Sequence, residues 1–538
     1  MFFFKGLKSK IFTVVFLFVL GSSLRLFFAP PQNTTADPFE IITAAKTISE
    51  RGVYLVPIVG SADLNIHYKP AGWPVGFPLM LSALYNLLGY SELLARLFTV
   101  FLGSFVIVFV FILADLFFGG EVAFLSGLML ALNPLLVAFN GRIFTNNPEL
   151  CFLYASITCL LLAVVEKSQT LKFINILSIT TRKKRFLLLL FSFFLLGFLL
   201  TIRDTASMFL LVYAYIFYQA GFFSFYQARK RFKQALKLFF VILISFIVGY
   251  LPSLYFNFQN YGYFLISTTY KWGGKLNFHY MLFGSGGLSG AAEMFLTGLF
   301  YTFPILSLFF INKFTRQDRF LVVCYILMFI VLILINGAYP INGASPRYIL
   351  PLIPFMTILA AHALLTLSPR IMWWGRSIII LFVVGWFCFL FYPWPGLFSF
   401  SPKFAYATYY SPVYQKYPFN NYPTHINALT CWVKAHTPKN AVILVTSAQP
   451  YHFYYYAQRD TIIFSNVTTQ VLESIIKKRP VYIVEEHIDI YNPDMINNIK
   501  NIIKSCGFSY VVVGEIPLFS PRFGQTKMHI YQVKDKSK

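Results

Sequence analysis

The ionisable residues that interrupt the apolar parts of this chain lie near the ends of the apolar runs. On one predicted membrane face the set comprises Asp37, Glu40, Arg96, Arg142, Glu149, Arg203, Asp204 and Arg347. A charged side chain costs about 2.5–3.5 kcal/mol at the middle of a bilayer and less near its surface. Carboxylates are groups of proton transfer, and guanidinium groups bind anions. Several of both at one level, beneath long loops, suit a substrate with an anionic head and an apolar tail.

The carboxylates in this set also have structural interpretations. Asp37 precedes a helical pattern and could cap it, and Glu40 could complete the first turn in the manner of a capping box. Glu149 follows Asn147 and Pro148, where it could favour a helix N-terminus through the dipole. The sequence leaves both interpretations open for each residue.

The arginines have structural interpretations as well. Arg96 and Arg142 could extend to lipid phosphate groups without taking part in a site. Arg203 and Asp204 could form a local ion pair in a tight turn, and Arg347 could anchor its helix at the lipid surface. These alternatives also stay open.

About eleven apolar runs are long enough to cross a bilayer, which takes about 20 apolar residues. They cover residues 11–29, 92–117, 121–138, 149–166, 186–202, 205–226, 238–258, 291–312, 320–337, 348–367 and 377–395. Lys and Arg cluster in every second gap, around Arg182, Lys233, Arg316 and Arg370. Such clusters stay in the cytoplasm. The N-terminus is therefore predicted to be cytoplasmic and the C-terminus extracytoplasmic.

The composition excludes a water-soluble protein of this size, because 57% of the residues are hydrophobic and only 12% are charged. The net charge of +24 would suggest nucleic-acid binding in a soluble chain. Here most of the basic residues fall in predicted cytoplasmic loops, where they set orientation and meet anionic lipid. Membrane lipid is therefore an expected partner, and nucleic acid is not.

Two regions outside the spans have patterns of their own. In the first loop, residues 30–91, apolar positions after Asp37 predict a helix ending at Gly52, and residues 77–90 predict a helix on or dipping into the outer surface. After about residue 420, helices at 425–436, 468–478 and 494–506 alternate with strands at 441–446, 481–485 and 510–514, which indicates a small α/β domain. Cys431 and Cys506 both fall in this domain and could form a disulfide.

The predicted fold class is thus an α-helical polytopic membrane protein of about eleven transmembrane helices with a small extracytoplasmic α/β domain at its C-terminus. The predicted transmembrane domain spans residues 1–395 and includes the long first loop 30–91. The predicted α/β domain spans residues 396–538.

Several motifs in this layout resemble one known class of membrane enzymes. The segments are Asp37 with Ala45 and Gly52; Lys69-Pro70-Ala71-Gly72-Trp73-Pro74; Ala95-Arg96-Leu97; Ala131-Leu132-Asn133-Pro134 followed by residues 145–150; and Arg347-Tyr348 with Pro351 and Pro354. Their order and membrane placement resemble the GT-C class of glycosyltransferases, specifically the branch with protein O-mannosyltransferases and lipid A aminoarabinose transferases. Ile41 stands where that branch commonly has a tyrosine, and Pro70-Ala71 where it usually has two prolines.

The resemblance implies an inverting glycosyltransferase. It would move a hexose or pentose from a polyprenyl-phosphate donor to a hydroxyl or phosphate of a protein, lipid or cell-envelope glycan. The expected location is the plasma membrane of a bacterium or archaeon, and no cofactor is certain.

Roles for individual residues follow from the same resemblance. Asp37 is the expected base, and Glu149 would orient the acceptor or share a divalent metal ion with Asp37. Arg347, Arg203 and Arg96 are the expected donor phosphate ligands. Glu40, His67 and Lys69 are the expected acceptor and loop residues.

Two other functions compete with this interpretation. A transporter or flippase of a lipid-linked sugar would place polar residues at mid-membrane on broken helices, in two related halves, and the sequence indicates neither feature. A non-catalytic scaffold would tolerate exchange of Asp37 and Arg347.

The topology can be tested with single cysteines introduced into a cysteine-free variant. Cysteines near Arg182, Lys233, Arg316 and Arg370 should react with an impermeant reagent only from the cytoplasmic side, because these positions lie in basic loops. Cysteines in the first loop and near Lys536 should react only from the other side. Labelling near Lys536 from the cytoplasm would contradict this topology.

Overall fold

The computed structural model of the chain describes most of its residues. The described ranges are 7–29, 36–58, 67–164, 182–203, 206, 209–219, 232–264, 316–338, 346–367, 375–391, 425–445, 453–464, 468–485, 493–520 and 524–535.

The chain divides into two compact units that are not contiguous in sequence. Residues 1–29 and 72–420 form one unit, called here the helical unit. Residues 30–71 and 421–538 form the other, called here the α/β unit. About the first two thirds of the long first loop, residues 30–71, therefore belong to the same compact unit as the C-terminal residues. The functional boundary expected near residue 395 stays a prediction.

The described part of the helical unit consists of helices. They are α1 (Leu7–Phe27), α3 (Gly76–Leu88), α4 (Glu92–Phe118), α5 (Gly120–Leu132), α6 (Pro134–Asn140), α7 (Asn146–Val164), α8 (Arg182–Ile202), α9 (Leu210–Gln219), α10 (Phe232–Tyr261), α11 (Arg316–Ala338), α12 (Ile353–Leu367) and α13 (Gly375–Phe391). A 3₁₀ helix, Pro346–Leu352, precedes α12. The predicted span 291–312 lies outside the described residues, and every other predicted span overlaps one of these helices.

Six of the described helices are long and apolar enough to cross a membrane, and four shorter ones are also apolar. Large apolar side chains are exposed on several of them; for example, Phe12 is 74% and Leu381 is 70% exposed. Such surfaces suit contact with lipid tails. The chain is an integral membrane protein, as predicted.

The apolar run predicted to span the membrane at residues 121–138 is divided between two helices. The first helix ends at Leu132, and a second, short helix starts at Pro134. A proline inside a helix removes a backbone hydrogen bond and clashes with the preceding turn, whereas at the first position of a new helix it is favourable. The buried Asn133 side chain caps the new helix by accepting hydrogen bonds from the amides of Leu135 and Leu136, both at 3.1 Å.

Two buried carboxylates of the helical unit each have a partner on a neighbouring helix. Lys10 Nζ of α1 lies 2.8 Å from both carboxylate oxygens of Asp115 of α4. The buried Asp318 of α11 lies 2.7 Å from Nδ1 of His362 of α12. A lone charge in such surroundings would be strongly destabilising, so each pair makes burial of its members tolerable. The first pair also joins the start of α1 to the end of α4, which fixes the two helices as antiparallel neighbours.

Helices α8 and α10 approach each other closely because each presents a glycine to the other. A Cβ atom on Gly197 would lie 2.0 Å from the carbonyl oxygen of Phe246, and one on Gly249 would lie 2.1 Å from that of Phe194. Small residues allow such backbone contact between membrane helices.

In the α/β unit, helix α2 (Ala36–Arg51) is followed by a two-stranded antiparallel hairpin of β1 (Leu55–Ile58) and β2 (His67–Pro70). The helix starts close to the predicted position and ends before Gly52, whose φ of +68° suits a glycine. The sequence patterns predicted the helix but not the hairpin. The Thr47 hydroxyl ties the two together by donating a 2.5 Å hydrogen bond to the Leu55 carbonyl.

The C-terminal part of the α/β unit is a five-stranded sheet with helices on both faces. Its helices are α14 (His425–His436), α15 (Thr469–Lys478) and α16 (Pro493–Ser505), and its strands are β3 (Val442–Val445), β4 (Asp460–Ile463), β5 (Val481–Val484), β6 (Phe508–Ser520) and β7 (Gly524–Asp535). The strand order is β4-β3-β5-β7-β6. Strands β4, β3 and β5 are parallel, and β7 is antiparallel to both of its neighbours. The predicted α/β fold is confirmed, although β4 and β7 were not predicted.

Cys431 and Cys506 are both free thiols, so the possible disulfide does not form. Helix α14, which carries Cys431, packs on the face of the sheet that contains Ile443 and Val445. Cys506 packs on the opposite face with Val442 and Leu444. A disulfide needs Cα atoms within about 7 Å of each other, and the sheet separates these two residues.

The close contact between α8 and α10 can be tested by replacing the glycines that allow it. Gly197→Ala and Gly249→Ala should each lower the thermal stability of the detergent-purified protein, because the new methyl group would collide with a backbone carbonyl. Gly385→Ala is the matched control, since a Cβ at that helix position meets no atom within 4 Å. Equal melting temperatures for all three variants would contradict the crossing.

Candidate active site

The helical unit contains a buried ion pair between two residues predicted for the site. Arg203 Nη1 lies 2.6 Å from Oε2 of Glu149. The glutamate side chain is 3% exposed and the arginine side chain is 17% exposed. The buried Glu149 carboxylate therefore has a positively charged partner, and the Arg203 guanidinium group is the more accessible member of the pair. Asp204, the alternative partner predicted for Arg203, lies outside the described residues.

Local hydrogen bonds fix the start of α7, which carries Glu149. The buried Asn147 side chain donates to the carbonyl of Arg142 at 2.8 Å and to that of Phe139 at 3.3 Å. Asn146 Nδ2 lies 3.5 Å from the same glutamate oxygen that Arg203 contacts. These contacts hold the turn between α6 and α7 and place Glu149 in the first turn of α7.

Arg203 directly follows the end of α8, and its amide donates to the Leu199 carbonyl at 3.0 Å. Just before it, the backbone of α8 lies against the start of α3. A Cβ atom on Gly76 would lie 2.2 Å from Oγ1 of Thr201 and 2.8 Å from its carbonyl carbon. The glycine that follows the Trp73-Pro74-Val75 segment thus allows the close packing that fixes the end of α8.

The segment that carries Arg347 is also tied to α7. The buried Tyr154 hydroxyl donates a 2.7 Å hydrogen bond to the carbonyl of Pro351, within the 3₁₀ helix Pro346–Leu352. The Tyr154 ring also packs 5.4 Å from that of Phe355. The side chain of Arg347 lies outside the described residues. Helix α7 therefore contacts two of the three segments that carry predicted phosphate ligands, the end of α8 and the 3₁₀ helix.

Two further arginines have described surroundings. Arg96 pairs with Glu92 on its own helix at 3.0 Å. This contact was not predicted, since Arg96 was expected to bind either the donor phosphate or a lipid phosphate. Arg142 is 8% exposed, and its carbonyl accepts the Asn147 hydrogen bond described above. A side chain so buried does not extend into lipid headgroups, so the lipid interpretation of Arg142 is wrong.

The α/β unit contains the other predicted site residues. Asp37 and Glu40 lie in the first turns of α2 and are half-buried. The helix starts at Ala36, so Asp37 lies within its first turn. A carboxylate there is stabilised by the positive end of the helix dipole.

His67 and Lys69 lie on β2, where they pair with Ile58 and Val56 of β1. The Lys69 side chain is exposed, and the side chain of His67 is outside the described residues. Asp37, Glu40, His67 and Lys69 therefore share one compact unit, and Glu149, Arg203, Arg96 and Arg347 share the other.

The described residues do not form a metal site. No group of three or more His, Cys, Asp and Glu side chains among them could hold a metal ion. The Glu149 carboxylate, one of the two expected ligands, is engaged by a guanidinium group at 2.6 Å. These described residues therefore give no support to the expectation that Asp37 and Glu149 share a metal ion.

Sequence reasoning missed one element next to the predicted base. Phe453–Ala457 forms a single π-helical turn that contains three consecutive tyrosines. Tyr455 stacks on Phe39 of α2, with ring centroids 5.3 Å apart and an interplanar angle of 7°. The run of tyrosines is visible in the sequence, but no pattern indicates that it packs on α2.

The fold is that of the GT-C membrane glycosyltransferases, which confirms at the level of architecture the resemblance seen in the motifs. No family model matches the chain, and no curated protein sequence is significantly similar to it.

Two solved structures of ArnT show this likeness over 97% of the chain. The crystal structure of ArnT from Cupriavidus metallidurans bound to undecaprenyl phosphate matches with a TM-score of 0.54 and 14% identity, covering 97% of both chains. The apo structure of the same enzyme matches with the same values. The apo oligosaccharyltransferase of Archaeoglobus fulgidus matches with a TM-score of 0.48 and 14% identity, covering 89% of this chain and 69% of its own.

The Glu149–Arg203 pair can be tested by removing its charges one at a time. Glu149→Ala and Arg203→Ala should each destabilise the protein, by up to about 3–5 kcal/mol, because each leaves the other charge without its partner. The double variant should be more stable than the Arg203→Ala variant, which leaves the buried Glu149 carboxylate without a partner. Melting temperatures in detergent would measure this, and strictly additive losses would argue against an energetic coupling.

Proposed function

We propose that this protein is an inverting glycosyltransferase that takes its sugar from a polyprenyl-phosphate donor. The observation that supports this most directly is the shared fold over 97% of both chains with an ArnT structure that contains undecaprenyl phosphate. The acceptor is proposed to be a hydroxyl or phosphate of a protein, a lipid or a cell-envelope glycan.

In the helical unit, Arg203 and Arg347 are proposed to bind the donor phosphate. A guanidinium group presents two parallel N–H donors to phosphate oxygens, and it keeps its charge at any physiological pH. Arg203 is more exposed than its buried partner Glu149, which suits contact with a ligand. The 3₁₀ helix that carries Arg347 is held by Tyr154 of α7. Arg96, which is already paired with Glu92, is proposed as a weaker third contributor.

Glu149 is proposed to orient Arg203. Its carboxylate lies 2.6 Å from the guanidinium group and is almost completely buried. A carboxylate that is engaged by a guanidinium group at this distance is less available for contact with an acceptor or a metal ion. The roles expected from the sequence, orienting the acceptor or sharing a metal ion with Asp37, are therefore less favoured than this one.

In the α/β unit, Asp37 is proposed as the general base, with Glu40, His67 and Lys69 as residues that contact the acceptor. The acceptor oxygen would attack the anomeric carbon as the bond from that carbon to the phosphate oxygen breaks. The bonding electron pair would leave with polyprenyl phosphate, and the acceptor proton would move to the Asp37 carboxylate. A single displacement inverts the anomeric configuration. The leaving phosphate needs no general acid, and the arginines stabilise its charge.

The donor and acceptor can be identified by mass spectrometry of lipid-linked sugars and glycoconjugates from cells with and without the gene. One sugar absent from one glycoconjugate, with its polyprenyl-phosphate donor still present, would identify both. An unchanged glycoconjugate profile would contradict the proposed function.

With that donor, Asp37→Asn should reduce single-turnover transfer by at least about a hundredfold in nanodiscs, because general-base assistance is worth about 10²- to 10⁴-fold. Donor binding should be unchanged, since asparagine retains the size of the side chain and is tolerated at a helix start.

Arg347→Ala is the contrasting variant in the same assay. It should weaken donor binding, and Arg347→Lys should restore binding only in part because the ammonium group lacks the planar fork. Near-normal transfer by Asp37→Asn would exclude Asp37 as the base, whatever the arginine variants show.

A further inference from the structure

Helix α2 is held from the side opposite Asp37 by an aromatic contact. Residues two positions apart point in nearly opposite directions on a helix. Phe39, two residues after Asp37, is 1% exposed. Its ring lies parallel to that of Tyr455 and meets the edge of Tyr456 at 5.4 Å and 65°. The contact therefore helps to fix the rotation of the first turns of α2 about the helix axis, and this rotation sets the direction of the Asp37 side chain.

The tyrosines belong to a rigid part of the α/β unit. Phe453 and Ala457, at the two ends of the π-helical turn, are fully buried in one core of the sheet. Buried Arg459 donates to the Ala457 carbonyl at 2.9 Å and, at the end of α14, to the Thr437 carbonyl at 2.7 Å. A turn fixed by a packed core and a charge-assisted hydrogen-bond network has little freedom to shift.

The other end of α2 is held by the hairpin. The Arg51 guanidinium group lies 4.9 Å from the centre of the Tyr68 ring on β2, and Thr47 bonds to β1 as described above. Burial, the Asp460 carboxylate and the Tyr68 phenol of β2 all raise the pKa of Tyr454 in the tyrosine turn. Both ends of the helix are therefore secured within one compact unit.

We propose that Tyr455, supported by Tyr456, is a positioning residue of the transferase: its ring holds Phe39 and thereby orients the Asp37 carboxylate. This assigns a part in the reaction to the C-terminal α/β region. The proposal rests on the proposed function for its catalytic consequence, but the orientation of α2 can be measured without any assay of transfer.

The first measurement is hydrogen–deuterium exchange in peptides covering residues 36–51 of the full-length protein in nanodiscs. Tyr455→Ala should increase exchange in the first turns of α2, whereas Tyr455→Phe, which retains the ring, should not. Tyr510→Ala is the matched control, because it removes a tyrosine from another aromatic pair of the same unit, the one with Tyr531. Unchanged exchange in Tyr455→Ala, or an equal increase in Tyr510→Ala, would overturn the proposal.

The second measurement is transfer kinetics. Tyr455→Ala should lower kcat by up to about 100-fold, since small misplacements of a catalytic group can cost that much. KM for the donor should be unchanged, and Tyr455→Phe should retain most of the activity. In an Asp37→Asn background, Tyr455→Ala should cause little further loss, because the group that it positions is already absent.

These results separate the two proposals. The same fold loss from Tyr455→Ala in the wild-type and Asp37→Asn backgrounds, or inactivity of Tyr455→Phe, would overturn the positioning role. Increased exchange in α2 together with normal transfer by Asp37→Asn would instead leave Tyr455 as the anchor of α2 and overturn the assignment of Asp37.

Discussion

The need of buried carboxylates for a partner is the constraint that fixes several helix contacts of the helical unit. Glu149 is almost inaccessible to solvent, and its 2.6 Å contact with Arg203 joins the start of α7 to the end of α8. Without that partner the carboxylate would have to give up its charge or its position. The Lys10–Asp115 and Asp318–His362 pairs apply the same rule elsewhere in the unit. Each pair stabilises a specific contact between two helices, which apolar side chains in lipid cannot specify as sharply.

Much of the architecture was predictable from the sequence, because membrane helices and amphipathic elements have strong periodic patterns. Apolar runs bounded by basic residues predicted the long helices of the helical unit, and the apolar spacing after Asp37 predicted α2. Strand β7 was missed because its alternation of polar and apolar residues changes phase: Met528 and Ile530 face one core, whereas Tyr531 and Val533 face the other. The polar–apolar pattern that indicates a strand in sequence is therefore interrupted in the middle of β7.

The candidate site was predictable only as a set of residue types. The cost of charge near a membrane identified Glu149 and Arg203 as unusual, but it could not show that they neutralise each other. That pairing depends on how the start of α7 and the end of α8 are placed next to each other. Gly76 contributes through close packing against the end of α8, and Asn147 through hydrogen bonds at the start of α7. The stacking of Tyr455 on Phe39 was beyond prediction for a simpler reason, since the two residues are far apart in sequence.

The discontinuous make-up of the α/β unit has a consequence for biosynthesis. Residues 30–71 leave the ribosome long before residues 421–538, yet the two segments form one compact unit. Until the chain is complete, Phe39 lacks the ring on which it stacks and α2 cannot adopt its final environment. The contacts of this unit therefore have high contact order and form late. A nascent chain halted after α13 would expose apolar residues of α2, which would make it prone to aggregation and proteolysis.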